Sequence, residues 1–297
     1  MADVAQILTV PALDGDGVLA GHYFAPRAEP TGVLLVAVHG GTYDHRYWNA
    51  PSVGGVRYSF AEDMTARGHG VVAVDQLGVA ASRVADPDAV TIAAAAEAIS
   101  ALVARARSEL ADQLRLRRVA LLGHSIGSIV SVWTQATHHP ADLLVTTGIG
   151  HVPLEDDESP FGPGVLEEAL QHPWVDLPPA ARKRAFYDPR TADPAVVELD
   201  NASLRSVFPR QLLLDAVGAT TGPELSRVDR VEGPVCVVLA DRDPIAPAAL
   251  ADRETAPWAA TGDVEVHKVS ETGHCYNLHP TNVVSWDIVH DYVSSRV

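Results

Sequence analysis

The chain predicts an α/β fold: a mostly parallel sheet with helices on both faces, and a helical cap inserted late in the sequence. Three observations predict it. Short β-branched runs alternate with helix-length segments as far as Gly150, the rhythm a parallel sheet with helical crossovers requires. That rhythm breaks between His151 and Asp229 and resumes at Pro234. Finally, a serine between two glycines, "GHSIG", falls where a strand-like run becomes a helix-like one.

Taken in order, "AQILTV" and "VLAGHYFAP" read as an opening antiparallel hairpin. The runs Val33–Gly41, Gly70–Gly78, Arg118–Ser125, Leu143–Gly150 and Pro234–Asp241 are short, apolar and bounded by turn residues, as buried parallel strands are. Helix-length segments fall at Val56–Arg67, at the Ala-rich Asp88–Leu114 and at Ile126–Thr137. Across 151–229, pieces such as "VPLEDDESPFGPG" and "QHPWVDLPPAARKR" interrupt short helical stretches with no clear buried strand. Three parts follow: a first core part at 1–150, a cap at 151–229 and a second core part at 230–297. The last of these ends in an amphipathic helix, "TNVVSWDIVHDYVSSRV".

Composition narrows the function. With 47% hydrophobic residues the chain can bury a large core. Lys+Arg 22 against Asp+Glu 38 gives a formal charge of -16, which repels nucleic acid and anionic lipid and favours a neutral small-molecule substrate. Cys236 and Cys275 suggest no disulfide framework. The opening "MADVAQILTV" lacks a secretory pattern, and no apolar run reaches the ~18 residues of a membrane span. The expectation is a soluble cytoplasmic protein, its oligomeric state left open with a homodimer among the options.

"GHSIG", Gly123–Gly127, is a G-x-S-x-G pattern at a strand-to-helix junction. A serine on so sharp a turn sits in a strained backbone, and the positions two before and two after must be small. An N-cap serine is the bland alternative, but the partners of a nucleophile are present in chain order. Asp243 in "DRDPIAP" lies past a strand end and is preferred as the orienting acid over Asp241. His274 in "SETGHCYNLHP" is preferred as the base over His279, because Gly273 permits a tight loop before the last helix. His138, His139, His267 and His290 read as structural.

A tetrahedral intermediate needs two backbone donors. Ile126 follows the nucleophile, and "HGGTYDHRYW" follows an early strand, with Gly41 first and Thr42 second as the other donor. Tyr43, His124, Trp174 and Phe186 are candidates for the pocket wall; the cap aromatics Phe161, Trp174, Phe186, Tyr187 and Phe208 either form an apolar pocket or pack the cap on the core. No histidine cluster has metal-ligand spacing, and no metal or cofactor is expected.

These residues carry a resemblance to the α/β-hydrolase superfamily: "HGG" after an early strand, "GHSIG", "DRDPIAP" and "TGHCYN" before the terminal helix. The resemblance covers the core and implies a mostly parallel eight-stranded sheet, a helical cap and a metal-free Ser-His-Asp mechanism. In place of the D-x-x-G-x-G-x-S of many relatives, "VAVDQLGVAASR" has Val79 and Ala80 around a single Gly78, so this loop is expected to be shaped differently. Serine at 125 argues against the branches that use an aspartate nucleophile. The expected reaction is hydrolysis of a small or medium, largely apolar ester, thioester or lactone. C–C bond hydrolysis, acyl transfer, cyclisation and a non-catalytic receptor remain the alternatives.

Overall fold

A computed structural model describes residues 1–152, 159–220 and 223–297; the stretch 153–158 of the acidic, Pro-rich piece lies outside them. Eight strands form the body of the sheet: β1 (Gln6–Ala12), β2 (Gly17–Phe24), β3 (Val33–Val38), β4 (Gly70–Asp75), β5 (Arg118–His124), β6 (Leu143–Thr147), β7 (Val235–Ala240) and β8 (Val264–Val269). Their spatial order is β1-β2-β4-β3-β5-β6-β7-β8, with a two-residue ninth strand, Arg83–Val84, beside β2. The β1–β2 and β2–β4 pairings are antiparallel and all later ones parallel. In β3, β4 and β7 every residue is buried, because helices cover both faces and leave no solvent side for polar residues to alternate onto.

The covering helices are α1 (Phe60–Ala66), α2 (Ile92–Glu109), α3 (Ile126–His138) and the terminal α7 (Asn282–Ser294); between β6 and β7 the cap contributes α4 (Pro179–Phe186), α5 (Pro194–Leu199) and α6 (Arg210–Thr220). The Ser59 hydroxyl accepts the Glu62 amide to start α1, and Thr91 does the same for α2 with Ala94. Among the described residues no helix is long and apolar enough to cross a membrane.

Three elements differ from the sequence reading. Val56–Tyr58 does not open a helix; it pairs with Ala50–Val53 in a hairpin, since Gly54 and Gly55 both take positive φ, as a two-residue turn demands. The cap holds a short ladder, Trp174–Val175 against Phe208–Pro209, too brief to register as a strand in sequence. Finally, β8 is a half-buried edge strand whose Glu265, His267 and Lys268 obscure its apolar face.

The parallel strands direct their carboxyl ends to one rim of the sheet. The loops after β3, β5, β7 and β8 therefore carry His39–Thr42, Ser125, Asp243 and His274 to the same edge, beneath the cap.

Candidate active site

Ser125 takes φ 53° and ψ −125°, a conformation L residues rarely adopt, where β5 turns sharply into α3. The two glycines are required by packing. A Cβ on Gly123 would lie 2.3 Å from the Ser128 Cα, and one on Gly127 2.2 Å from the Val38 carbonyl oxygen. The Ser125 amide donates to the Thr147 carbonyl on β6 at 2.8 Å, tying the turn to the sheet. The Ile126 amide, at the first position of α3, has no acceptor within its helix and sits at the positive end of the dipole.

Asp243 and His274 meet as the sequence places them. The His274 Nδ1 lies 2.9 Å from the Asp243 Oδ2, while Oδ1 accepts the amides of Ile245 (2.8 Å) and Ala246 (3.1 Å). Both residues are buried. With Nδ1–H committed to the carboxylate, Nε2 is the free acceptor, and among the described residues it has no partner. Asp241 is half exposed beside Arg242 and binds no histidine.

His279 braces the loop that carries His274. Its Nδ1 donates to the Cys275 carbonyl (2.9 Å) and its Nε2 accepts the Gly273 amide (3.1 Å), which fixes it as a neutral imidazole spanning His274; burial lowers its pKa, consistent with that form.

The loop after β3 is equally constrained. His39 donates from Nδ1 to the Gly40 carbonyl and accepts the Gln76 amide on Nε2, and burial lowers its pKa. A Cβ on Gly41 would fall 2.7 Å from the Ile126 Cδ1, so glycine allows the loop to close against the first residue of α3. Thr42 has φ 63° and, with Gly41, Ser125 and Ile126, lines one cavity.

That cavity, about 690 Å3, lies between the core and the cap. Its wall includes Ile149, Phe161, Leu166, Phe186, Phe208, Leu213, Ile245 and Leu250, and among the described residues no charged side chain contributes to it. Of the four pocket candidates only Phe186 belongs to the wall. Tyr43 is turned inward, its hydroxyl bonding Asp200 and Cys275. His124 is stacked on Tyr47 with centroids 4.7 Å apart and its Nδ1 on the Thr147 hydroxyl. Its pKa is lowered well below the usual value, by burial first and then by His274 and His39. Trp174 packs over Gly78 instead, where a Cβ would meet its ring at 2.9 Å. In that same loop Ala80 holds φ 46°, where many relatives place a second glycine.

Sequence reasoning did not find Glu254, His151, Arg182 or Asp200. The buried Glu254 carboxylate accepts the amides of His151 and Val152 and the His151 ring, securing the point where the chain leaves the core for the cap. These partners stand far apart in sequence and fall in no motif.

His22, His45 and Asp75 bring three ligand-type atoms within 4.8 Å. The two rings are stacked at 3.5 Å and 15°, so their in-plane lone pairs run side by side and do not converge on a common ion. Asp75 instead accepts from both rings and from the amides of His45 and Ala81; burial opposes its charge, but the two histidines hold its carboxyl below the usual range.

A serine on a strained elbow and a carboxylate–imidazole pair at one rim of a mostly parallel sheet, beneath a cap, define an α/β-type hydrolase. The chain belongs to the alpha/beta hydrolase family, whose model matches residues 35–286. Solved structures similar to it include a monoacylglycerol lipase from Paleococcus ferrophilus (16% identity, TM-score 0.66, covering 94% of this chain and 99% of the other). A hydrolase from Pseudomonas aeruginosa PA01 (21%, 0.65, 98% and 99%) and an esterase from Exiguobacterium antarcticum (17%, 0.64, 96% and 98%) are also similar. No curated protein matches the chain by sequence.

Proposed function

We propose that the chain is a serine hydrolase that cleaves a neutral, largely apolar carboxylic ester, thioester or lactone through an acyl-Ser125 intermediate. The observation that carries this reading is the Asp243–His274 pair, whose Nε2 is left without a partner among the described residues, together with Ser125 on a strained elbow lining a cavity whose described wall carries no formal charge. His274 Nε2 takes the Ser125 proton as Oγ bonds to the carbonyl carbon, and Asp243 stabilises the imidazolium formed. The carbonyl oxygen, now an anion, receives the amides of Ile126 and of Gly41 or Thr42. Its collapse expels the alkoxide or thiolate, which takes the proton from His274. Water then attacks the acyl-enzyme with His274 as base, and the acid leaves.

Burying a charged substrate group without a partner costs several kcal/mol, so charged acyl chains are rejected by the wall. The test is a fluorophosphonate probe with the adduct located by peptide mass spectrometry, followed by p-nitrophenyl esters of neutral and of ω-carboxylated acyl chains. Labelling at Ser125 that is lost in Ser125→Ala and His274→Ala, with turnover of the neutral esters alone, is the expected result. An unlabelled Ser125, or equal turnover of both ester series, overturns the reading.

A further inference from the structure

A fully buried charged pair lies between the cap and the loop after β3, and neither of its two members lines the cavity. Arg182 on α4 and Asp200, just after α5, are fully buried and paired at 2.7 Å. Breaking such a pair is costly, yet an apolar pair of similar volume is often as stable or more so, so stability alone does not explain it.

Its partners point to the reaction centre. The second terminal nitrogen of Arg182 donates to the Thr42 hydroxyl and, at 3.3 Å, to the Thr42 carbonyl. That carbonyl also accepts the amide of Ser206 from the cap at 2.9 Å. The other Asp200 oxygen receives the hydroxyls of Tyr43 and Tyr187, both at 2.9 Å, and Tyr43 lies 3.0 Å from the Cys275 sulfur. The guanidinium also rests 4.6 Å from the centre of the Tyr43 ring and 5.1 Å from that of Phe186. Burial raises the pKa of both phenols and of the Cys275 thiol.

Thr42 is thus held in its left-handed conformation by three donor contacts, all from the cap, and Cys275 adjoins His274. We infer that Arg182 and Asp200 are positioning residues: the cap sets the direction of the oxyanion-loop amides through the contact of Arg182 with Thr42, with Asp200 fixing the guanidinium. The inference rests on the hydrolase reading above. Holding Thr42 by its side chain and its carbonyl fixes the peptide planes on either side, and amide donors stabilise an oxyanion only when aimed before it forms.

The test is the double variant Arg182→Met/Asp200→Leu, which replaces the pair by apolar side chains, with Asp200→Asn read in the same assays should the double variant not fold. Melting temperature, kcat and KM on a neutral p-nitrophenyl ester, and Ki of an alkylboronic acid, which presents an oxyanion to the same amides, are measured together. The expected result, per folded molecule, is a kcat lower by about 10–100-fold and a boronate Ki raised by a similar factor at unchanged KM, with the melting temperature giving the folded fraction. An unchanged kcat, or activity that falls only in step with the folded fraction, overturns the inference and leaves the hydrolase reading intact. A parent protein that neither labels at Ser125 nor turns over any ester overturns that reading, and this inference with it.

Discussion

Replacing Asp243 by asparagine tests the geometry of the base. Asparagine is nearly isosteric, so the loop is retained, but its two ends are no longer equivalent. The amides of Ile245 and Ala246 both donate to Oδ1 and require an acceptor there, which directs the new amide oxygen toward them and the NH2 group toward His274. His274 Nδ1 must then accept, its proton moves to Nε2, and the nitrogen facing the site can no longer take a proton from Ser125. An exchange of this kind in a Ser-His-Asp triad costs about 10⁴-fold in kcat, or about 5.5 kcal/mol of transition-state stabilisation. Steady-state kinetics on a neutral p-nitrophenyl ester, with the melting temperature recorded alongside, measures it. A folded Asp243→Asn enzyme within tenfold of the parent kcat would refute this account of the two backbone donors.

Other expectations concern strain, packing and pH. Ser125→Gly relieves a positive φ and should raise stability by about 1 kcal/mol in urea melts while abolishing turnover; a destabilised variant would show that the elbow stores no strain. Gly127→Ala places a methyl against the backbone of Val38 and His39 and should cost about 1–3 kcal/mol, so an unshifted urea midpoint would contradict the packing. Burial lowers the pKa of His39, His69, His124 and His279, that of His69 to about 4. The unfolded chain therefore binds more protons below about pH 6.5, and stability falls as pH drops from there toward 4, by up to about 1.4 kcal/mol per pH unit for each histidine. Urea midpoints that stay level between pH 7 and 5 would count against this.

What was legible in the sequence follows physical lines. Buried parallel strands such as Val33–Val38 are continuous apolar runs, and Gly123, Ser125 and Gly127 announce the elbow because no larger residue fits at the two glycines. Asp243 and His274 were identifiable from chain order and loop position. The edge strand Val264–Val269 was not, since only Val269 is fully buried and Glu265, His267 and Lys268 dilute the pattern. Nor was the inward turn of Tyr43 and His124: an aromatic or histidine beside a catalytic loop reads the same whether it faces substrate or packs beneath it. The Arg182–Asp200 contact with Thr42 joins residues 140 positions apart, a relation no local pattern encodes.

The described wall of the cavity, which carries no charge, also bears on what would follow cleavage of the bond. An ester enters neutral, but its acid departs as an anion near neutral pH, into a chamber whose described wall offers no cation, on a chain of formal charge -16. If the proposed reaction holds, the same surface binds the neutral reactant better than the anionic fragment. Inhibition by the free acid should fade as pH rises past the acid's own pKa, while inhibition by the neutral alcohol stays level, so that product inhibition follows the protonation state of the acid.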